Sequence, residues 1–341
     1  MPNRHHHRHR RLSGGAVAAI AAGIVLAYVG ILFGVQAVGS RIEQANGTET
    51  MGSLDGRFTD DTLTMQYNGR TWTYREKALT NILLMGIDWE DTTDDVTERY
   101  AGQADFLLLI TLDRVNKTVS TLQLDRDTMT DVRIYGPFGN YTGIQTLQIC
   151  LSHAYGSTAA ENCENTVWSV SRLLGNIPID GYIALDMSAI TILNDTLGGV
   201  TVTLEDDFSH LDPSMTKGTT LTLHGKQAEY YARGRMDVGD GSNVSRMRRQ
   251  RAFINGAEEL LVQGMNKDLN YVGSLFDALS DHLTTNMERG WLINKAYASQ
   301  EYQRLETQTP AGSRNIGEDG FMEFHADADA LGDLMTSCFF Q

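Results

Sequence analysis

Asn-Ile-Leu-Leu-Met-Gly-Ile-Asp, at positions 81–88, is a short continuous apolar run that ends in an aspartate. Two further apolar runs follow at positions 106–112 and 118–124, and a short polar turn separates them. Strands that are buried on both faces have this composition, because neither face meets water. The three runs therefore predict the buried centre of a sheet.

The flanking sequence predicts helices and further strands around this centre. Residues 63–67, an Asn68-Gly69 turn and residues 71–74 have the pattern of a β-hairpin. Strands are predicted at 182–185 and 200–204, and helices at 162–174, 225–233 and 243–262. Ser188 is predicted to cap a helix that ends at Gly198-Gly199. Buried strands that alternate with helices indicate one layered α/β domain over residues 62–341.

The distribution of charge indicates a membrane anchor in front of this domain. The net charge is -15, which argues against a nucleic-acid partner because phosphates require a basic surface. Residues 1–13 nevertheless contain four arginines and no acid, and residues 14–39 contain no charge. We predict a cytoplasmic tail (1–13), a transmembrane helix (14–39) and a linker (40–61). The alternative is a cleaved signal peptide, and in both cases the domain lies outside the cytoplasm.

Two charged clusters follow directly after predicted buried strands. Asp88 ends the first apolar run, and Asp125-Arg126-Asp127 follows the third. Ligands of open α/β sheets bind outside the carboxyl ends of strands, so Asp88 is a candidate ligand of a hard cation and Arg126 a candidate ligand of an anion. The alternatives are a turn or cap aspartate at position 88 and a surface ion pair at Arg126.

A third cluster, at positions 226–251, contains seven basic and three acidic residues within an acidic chain. Arg233 and Arg235 end one predicted helix, whereas Arg246 and Gln250 share a face of the next because they are four residues apart. Guanidinium groups suit phosphate, since they donate hydrogen bonds in pairs and stay charged. The alternative is a solvated basic helix face, to which we assign the remaining arginines, Arg248, Arg249 and Arg251.

The cysteines and one histidine leave less specific signals. Cys150 and Cys163 would be able to pair in an oxidising exterior, which leaves Cys338 alone, but spacing does not decide whether they do. His153 lies in an apolar helical context without a serine-centred motif, so we predict a structural role for it.

The clusters belong to an ordered set of motifs that resembles the LytR–CpsA–Psr family from about residue 75 to the C-terminus. The motifs are Asn-Ile-Leu-Leu-Met-Gly-Ile-Asp (81–88), Asp105, Leu-Asp-Arg-Asp-Thr (124–128), Leu-Gly-Gly-Val (197–200), Leu-x-Gly-Lys-Gln-Ala (223–228), Tyr-Ala-Arg-Gly-Arg (231–235) and Arg-Met-Arg-Arg-Gln (246–250).

The resemblance implies a fold, a ligand set and a reaction. The fold is an α/β/α sandwich with a hydrophobic pocket for a polyprenyl tail. Asp88 and Asp105 match positions that bind a divalent cation, usually Mg²⁺, with Mn²⁺ as the alternative. The positions that grip the pyrophosphate are Arg126, Arg233, Arg235, Arg246 and Gln250. The reaction moves a glycopolymer phosphate from a polyprenyl-pyrophosphate donor to peptidoglycan on the outer face of a bacterial, Gram-positive membrane, and polyprenyl phosphate leaves.

Two departures from the family pattern leave alternatives open. Gln103 stands where the family often has a phosphate-side arginine, and Asn243 stands where an acid is common, so that Asp240 is a possible substitute for that acid. The resemblance implies a catalytic set of Arg126, Asp127, Arg233 and Arg235, with Asp125 as an alternative base to Asp127. The alternative functions are a receptor for lipid-linked glycans, which Gln103 favours, a polyprenyl-pyrophosphate hydrolase and a transcriptional regulator.

Overall fold

The computed structural model describes residues 58–59, 63–89, 102–136 and 139–341. The predicted tail (1–13) and transmembrane helix (14–39) lie outside this part of the chain, as does nearly all of the predicted linker (40–61). Among the described residues, no helix has the length and apolar character needed to cross a membrane.

Fifteen strands and seven α-helices make up the described domain. The strands are β1 (Phe58–Thr59), β2 (Thr64–Tyr67), β3 (Arg70–Thr73), β4 (Leu79–Ile87), β5 (Ala104–Asp113), β6 (Thr118–Leu124), β7 (Met129–Tyr135), β8 (Tyr141–Gln148), β9 (Gly181–Leu185), β10 (Thr201–Thr203), β11 (Thr220–Thr222), β12 (Leu283–Thr285), β13 (Gln303–Arg304), β14 (Gly312–Ile316) and β15 (Met322–Ala326). The helices are α1 (Ala159–Leu173), α2 (Ser188–Leu197), α3 (Lys226–Arg233), α4 (Asn243–Lys267), α5 (Tyr271–Leu279), α6 (Arg289–Ser299) and α7 (Ala328–Phe339). Short 3₁₀ helices span Ile149–Ala154 and Ser280–His282.

The central sheet has six strands in the order β12-β9-β4-β5-β6-β13. The three apolar runs of the sequence form its centre, because β4 pairs antiparallel with β5 and β5 antiparallel with β6. Strand β9 runs parallel to β4. The ends of β4, β6 and β9 and the beginning of β5 therefore meet at one edge of the sheet, and the charged clusters follow or begin these strands.

Both faces of the sheet are covered, so the predicted α/β/α sandwich is correct. Side chains of β4 alternate between two cores: Ile82 and Leu84 pack against residues of α2 to α6, whereas Leu83 and Met85 pack against residues of α1 and α7. All of these side chains are completely buried. A strand with helices on both faces needs apolar residues at every position, which is why the run at 81–87 shows no polar alternation.

Several boundaries differ from those predicted. The helix after β9 is capped by Asp186 and not by Ser188, because Oδ1 of Asp186 accepts hydrogen bonds from the backbone N–H groups of Ser188 (2.8 Å) and Ala189 (3.2 Å). Helix α4 continues to Lys267, five residues beyond its predicted end. The sequence also gave no prediction of the hairpins β7–β8 and β14–β15, whose strands are partly exposed.

The cysteines are free thiols in this structure. Cys150 and Cys163 are both buried, and Sγ of Cys150 accepts a hydrogen bond of 3.2 Å from Nη2 of Arg126. His153 is buried beside Cys163, and its Nδ1 lies 2.7 Å from the carbonyl oxygen of Gly102. Burial lowers the pKa of His153 to about 4, so the ring is neutral, in keeping with a structural role.

Candidate active site

The strand side of the site consists of the aspartates at the adjoining ends of β4 and β5. The carbonyl oxygen of Gln103 accepts hydrogen bonds from the backbone N–H groups of Asp88 (2.9 Å) and Asp105 (3.0 Å). The two aspartates that the sequence predicts as metal ligands are thus joined through one peptide group. A bulge in the pairing of β4 with β5 lies at this point, and bulges redirect side chains beside functional sites.

Arg126, in the loop after β6, forms hydrogen bonds and ion pairs with the residues of the strand side. Its Nη1 donates to Oδ1 of Asp105, and its Nη2 lies 2.6 Å from Oε1 of Gln103. Its Nε lies 3.3 Å from Oδ1 of Asp127. The amide oxygen of Gln103 therefore serves as an acceptor for Arg126, whereas its predicted contact with pyrophosphate stays a prediction.

The helix side is built by the end of α3, the loop after it and the first turns of α4. Arg246 is almost completely buried, and its Nη1 lies 3.3 Å from Oδ2 of Asp105, so it spans from the helix to the strands. Gln250, one turn further along α4, accepts a hydrogen bond of 3.0 Å from the Gln123 amide. The Arg235 charge lies near enough to affect the pKa values of both Asp127 and Arg246.

Of the five residues predicted to bind pyrophosphate, Arg126, Arg235 and Arg246 meet around Asp105 and Asp127. A fourth, Gln250, lies on the same face of α4 as Arg246. The fifth, Arg233, forms an ion pair with Glu229, one turn earlier on α3. Arg233 is thus the last residue of α3, and the partner of its ion pair belongs to the same helix. Asp240 does not replace the missing acid, because its carboxylate accepts hydrogen bonds from Ser242 and Ser245 at the start of α4.

Asn243 takes the place of that acid. Its Oδ1 accepts hydrogen bonds from Nε (3.0 Å) and Nη2 (2.6 Å) of Arg246, which fixes the plane of the guanidinium group. Its Nδ2 donates to Oδ1 of Asp125 over 2.7 Å. An amide acts here as both acceptor and donor, whereas a carboxylate would be repelled by Asp125.

Asp125 and Arg314 complete this network. Asp125 is fully buried, and its Oδ2 accepts a hydrogen bond of 2.5 Å from Nη2 of Arg314 in β14. A buried carboxylate requires such compensation. No sequence pattern marks Arg314, which is a single arginine in an unpredicted hairpin and lies about 190 residues from Asp125 along the chain.

Arg249 contradicts the prediction that it belongs to a solvated face. The side chain is only 1% exposed and pairs with Asp206 at 2.5 Å. Its Nη2 donates to the carbonyl oxygen of Gly234, and its Nε lies 3.3 Å from that of Tyr231. A signal existed in the sequence, because Phe253 and Ala257 follow Arg249 at intervals of four and form part of the buried stripe of α4.

The role of Arg249 is to hold the segment that positions Arg233 and Arg235. The residue between these arginines must be glycine, because a Cβ at Gly234 would lie 2.8 Å from atoms of Phe208 and Val238.

By contrast, Arg248 is half exposed and pairs with Glu205 at the surface, as predicted. Arg251 is half-buried and donates to Oε1 of Gln123 over 2.7 Å.

The electrostatics of the site favour an anionic ligand. Burial, with the nearby charges of Arg126 and Arg235, lowers the pKa of Arg246 to about 9. Within the described residues, Nε of Arg235 and Nε2 of Gln250 are buried donors without a hydrogen-bond partner. Unmet buried donors are costly, and the oxygens of a phosphate group would satisfy them.

Asp127 differs from Asp125 in its surroundings. Burial raises the pKa of Asp127, and the adjacent Arg126 offsets part of this effect. Its Oδ2 is buried and accepts no hydrogen bond from any described residue. Asp125 uses both of its oxygens in hydrogen bonds to Asn243, Arg314 and the backbone of Asp127. Of the two, only Asp127 has an oxygen available to take a proton.

Asp88 and Asp105 are the residues that the sequence predicts as ligands of a divalent cation. No cluster of three or more His, Cys, Asp or Glu ligands exists in the portion of the chain that the structure covers. Mg²⁺ is commonly held by one or two carboxylates together with substrate phosphates and water. Asp88 and Asp105 would be the two carboxylates here, and both oxygens of Asp105 pair with arginines, Oδ1 with Arg126 and Oδ2 with Arg246.

A cavity of about 120 Å³, lined by both apolar and polar side chains, lies beside Asp88. Ile87 and Trp89, on either side of Asp88, line it together with Ala184 and Leu185 at the end of β9. Asp186 and His282 lie at its wall and are 2.8 Å apart. The cavity thus adjoins the strand end at which the predicted metal and phosphate ligands gather.

The chain is similar to several known proteins. The family model described as LytR_cpsA_psr matches residues 41–338. The polyisoprenyl-teichoic acid–peptidoglycan teichoic acid transferase TagU of Bacillus licheniformis is 28% identical over 257 residues, which are 74% of this chain and 75% of that protein.

Two solved structures have a similar fold. Protein gbs0355 of Streptococcus agalactiae gives a TM-score of 0.63 at 21% identity, over 77% of this chain and 87% of that chain. The TagV protein of Bacillus subtilis gives a TM-score of 0.56 at 25% identity, over 77% of this chain and 96% of that chain. The mixed α/β fold predicted from the sequence is therefore the fold of known relatives.

Proposed function

The chain belongs to the LytR–CpsA–Psr family, and we propose that it transfers a glycopolymer phosphate from a polyprenyl-pyrophosphate donor to a hydroxyl group of peptidoglycan. Relatives are named as transferases between teichoic acid and peptidoglycan. The observation that carries the proposal is the pair of buried, unpartnered donors on Arg235 and Gln250, beside the paired guanidinium groups of Arg126 and Arg246.

In the proposed reaction, the arginines bind the pyrophosphate and the acceptor hydroxyl attacks the phosphorus next to the glycan. A new phosphorus–oxygen bond forms to the acceptor, and the bond to the bridging oxygen breaks, so that polyprenyl phosphate leaves with the electron pair. Arg126, Arg235 and Arg246 stabilise the negative charge on the transferred group, which is the main contribution in phosphoryl transfer.

Asp127 is the proposed base. Its unpartnered Oδ2 is available for a proton from the acceptor hydroxyl, and burial raises its pKa, which makes the carboxylate more basic. Asp125 holds Asn243 and Arg314 instead, and we therefore assign it to positioning. The proton ends on Asp127 and returns to solvent after the product leaves.

Asp88 and Asp105 would hold a divalent cation, most simply Mg²⁺, with Mn²⁺ as the alternative. When bound, such an ion neutralises charge on the pyrophosphate oxygens. The apolar part of the cavity, at Ile87 and Trp89, would accept the beginning of the polyprenyl chain. We further propose that residues 14–39 anchor the chain in the membrane, with the domain on the outer face, where both substrates occur.

The test uses the full chain in detergent with a synthetic polyprenyl-pyrophosphate glycan, Mg²⁺ and peptidoglycan fragments, and follows the release of polyprenyl phosphate. We expect release that requires the acceptor and the metal and that is lost in Arg235→Ala. Release without an acceptor would identify a hydrolase. Tight donor binding without release under any condition would identify a receptor and overturn the proposal.

A further inference from the structure

A second cavity, of about 340 Å³, lies between the first turns of α4 and the segment that contains β14 and β15. One wall is formed by Val244, Met247 and Arg251 of α4, and the opposite wall by Pro310, Arg314 and Phe324. The described parts of the active site use none of its apolar residues. It has therefore no role yet in the proposed reaction.

The cavity adjoins the phosphate-binding face directly. Successive residues of a helix are rotated by about 100° around its axis. The residues of α4 that face the phosphate side are Asn243, Arg246 and Gln250. The cavity is lined by the residue that follows each of them, namely Val244, Met247 and Arg251. The two stripes therefore run side by side along the same turns of α4.

The two charged side chains of the cavity, Arg251 and Arg314, are both cationic, in a chain whose net charge is -15. Nη2 of Arg314 donates to Asp125, and Nη1 of Arg251 donates to Gln123. The other nitrogens of these guanidinium groups form no hydrogen bond with a described residue. Arg314 also stacks on the ring of Phe324, with Cζ 4.6 Å from its centroid. The two guanidinium groups are thus oriented but have donors left for a ligand.

We propose that this cavity is the acceptor subsite and that it binds the carboxylate-bearing peptide attached to the acceptor glycan. The inference rests on the proposed function, because an acceptor must approach the phosphorus from beside the phosphate ligands. The arginines suit carboxylates, and Met247, Phe324 and Pro310 suit the small apolar side chains of a peptide. A polyol phosphate polymer on the donor would match the charge but not this apolar wall.

The link to catalysis passes through Arg314. The chain of contacts from Arg314 to Asp125, Asn243 and Arg246 joins the cavity to the phosphate-binding arginine. Substitution of Arg314 would disturb both sites, so it does not separate binding of the acceptor from positioning of Arg246. Val244 separates them, because it is 46% exposed, lines the cavity and contributes no polar group to the phosphate face.

The experiment compares Val244→Lys, Val244→Glu and the neutral Val244→Gln in the full chain. Two acceptors are used: a glycan that carries peptides with free carboxylates, and the same glycan after removal of the peptides. With the peptide-bearing acceptor, we expect Val244→Lys to lower the acceptor KM by about fivefold and Val244→Glu to raise it by about the same factor, as for a partly exposed charge pair. The donor KM and kcat remain unchanged, and the peptide-free acceptor shows neither effect.

Equal shifts with both acceptors would overturn the proposal, as would no shift at all. A shift in the donor KM instead would mean that the donor polymer occupies the cavity. Calorimetric binding of the peptide-bearing glycan to the three variants gives the same order of affinities without turnover. If the affinities of the variants for this glycan follow the expected order but the wild-type chain releases no polyprenyl phosphate, the proposed function fails and the subsite remains.

Discussion

The strand side and the helix side of the site differ in how their charges are satisfied. On the strand side, Asp105, Arg126 and Gln103 pair with one another at the sheet edge. On the helix side, Arg235 and Gln250 retain buried donors without partners. The difference teaches that the strands supply charged groups that largely pair with one another, whereas the helix side supplies buried donors that the oxygens of an anionic ligand would satisfy.

The strand side has two exceptions, because Nε of Arg126 and Oδ2 of Asp127 are buried without a hydrogen-bond partner among the described residues. Substitution of Asp127 should have the largest effect. We expect Asp127→Asn to lower kcat by about 10²- to 10⁴-fold, the usual contribution of a general base, measured as release of polyprenyl phosphate. Donor affinity should change little, because the arginines remain.

The same substitution should stabilise the protein at neutral pH. Because burial raises the folded-state pKa of Asp127, protonation favours the folded state, and this stability is complete below the unfolded-state pKa and lost as pH rises through the folded-state pKa. At pH 7 the carboxylate therefore destabilises the fold, and Asp127→Asn should raise the free energy of unfolding by about 1 kcal/mol. Urea unfolding at pH 7 and at pH 3 measures this, and a gain that persists at pH 3 would contradict the assignment.

The helix side depends on Arg249, which holds the segment between α3 and α4. Arg249→Leu leaves Asp206 without its buried counter-charge and removes the hydrogen bonds to Tyr231 and Gly234. We expect a loss of about 3–5 kcal/mol in the free energy of unfolding, as when one partner of a buried ion pair is removed.

The matched control is Arg248→Leu on the same helix. Arg248 is half exposed, and its pair with Glu205 lies at the surface, so this change should alter stability by less than about 1 kcal/mol. Equal losses in the two variants, measured by urea unfolding, would show that Arg249 has no special structural role.

Arg246 joins the two sides, and its removal should affect turnover more than folding. We expect Arg246→Ala to lower kcat by about 10²- to 10³-fold, the effect of losing one donor to a developing negative charge. Arg248→Ala is again the control, and its kcat should equal that of the wild-type chain. A fall in donor affinity without any fall in kcat would mean that Arg246 binds the ground state and the transition state equally.

The sequence predicted the strand side better than the helix side for a physical reason. Asp88, Asp105 and Arg126 adjoin apolar runs, and the ends of neighbouring strands necessarily meet at one edge of a sheet. The positions of Arg249, Asn243 and Arg314 depend on contacts between distant segments, such as the pair of Asp125 with Arg314. Helical spacing marks Arg249 as lying on a buried stripe, but it does not identify Asp206 as the partner that makes this burial possible.

The smallest predicted effect concerns Gln103, where the family often has arginine. Gln103→Arg removes the oxygen that accepts a hydrogen bond from Nη2 of Arg126 and places a second positive charge beside it. The strand side would then have a cation without a partner, like the donors of the helix side. We expect the free energy of unfolding of the unliganded chain to fall by about 1 kcal/mol.

With donor present, the same guanidinium gains phosphate oxygens as partners. The donor KM should then fall by about tenfold, since a charged hydrogen bond contributes about 1.5 kcal/mol or more. Gln103→Lys is the matched control, because it carries the charge but cannot donate in a planar pair, and its gain should be smaller. A loss of stability without any gain in donor affinity would show that Gln103 is required as an acceptor for Arg126, so that the strand side functions only when its charges are internally paired.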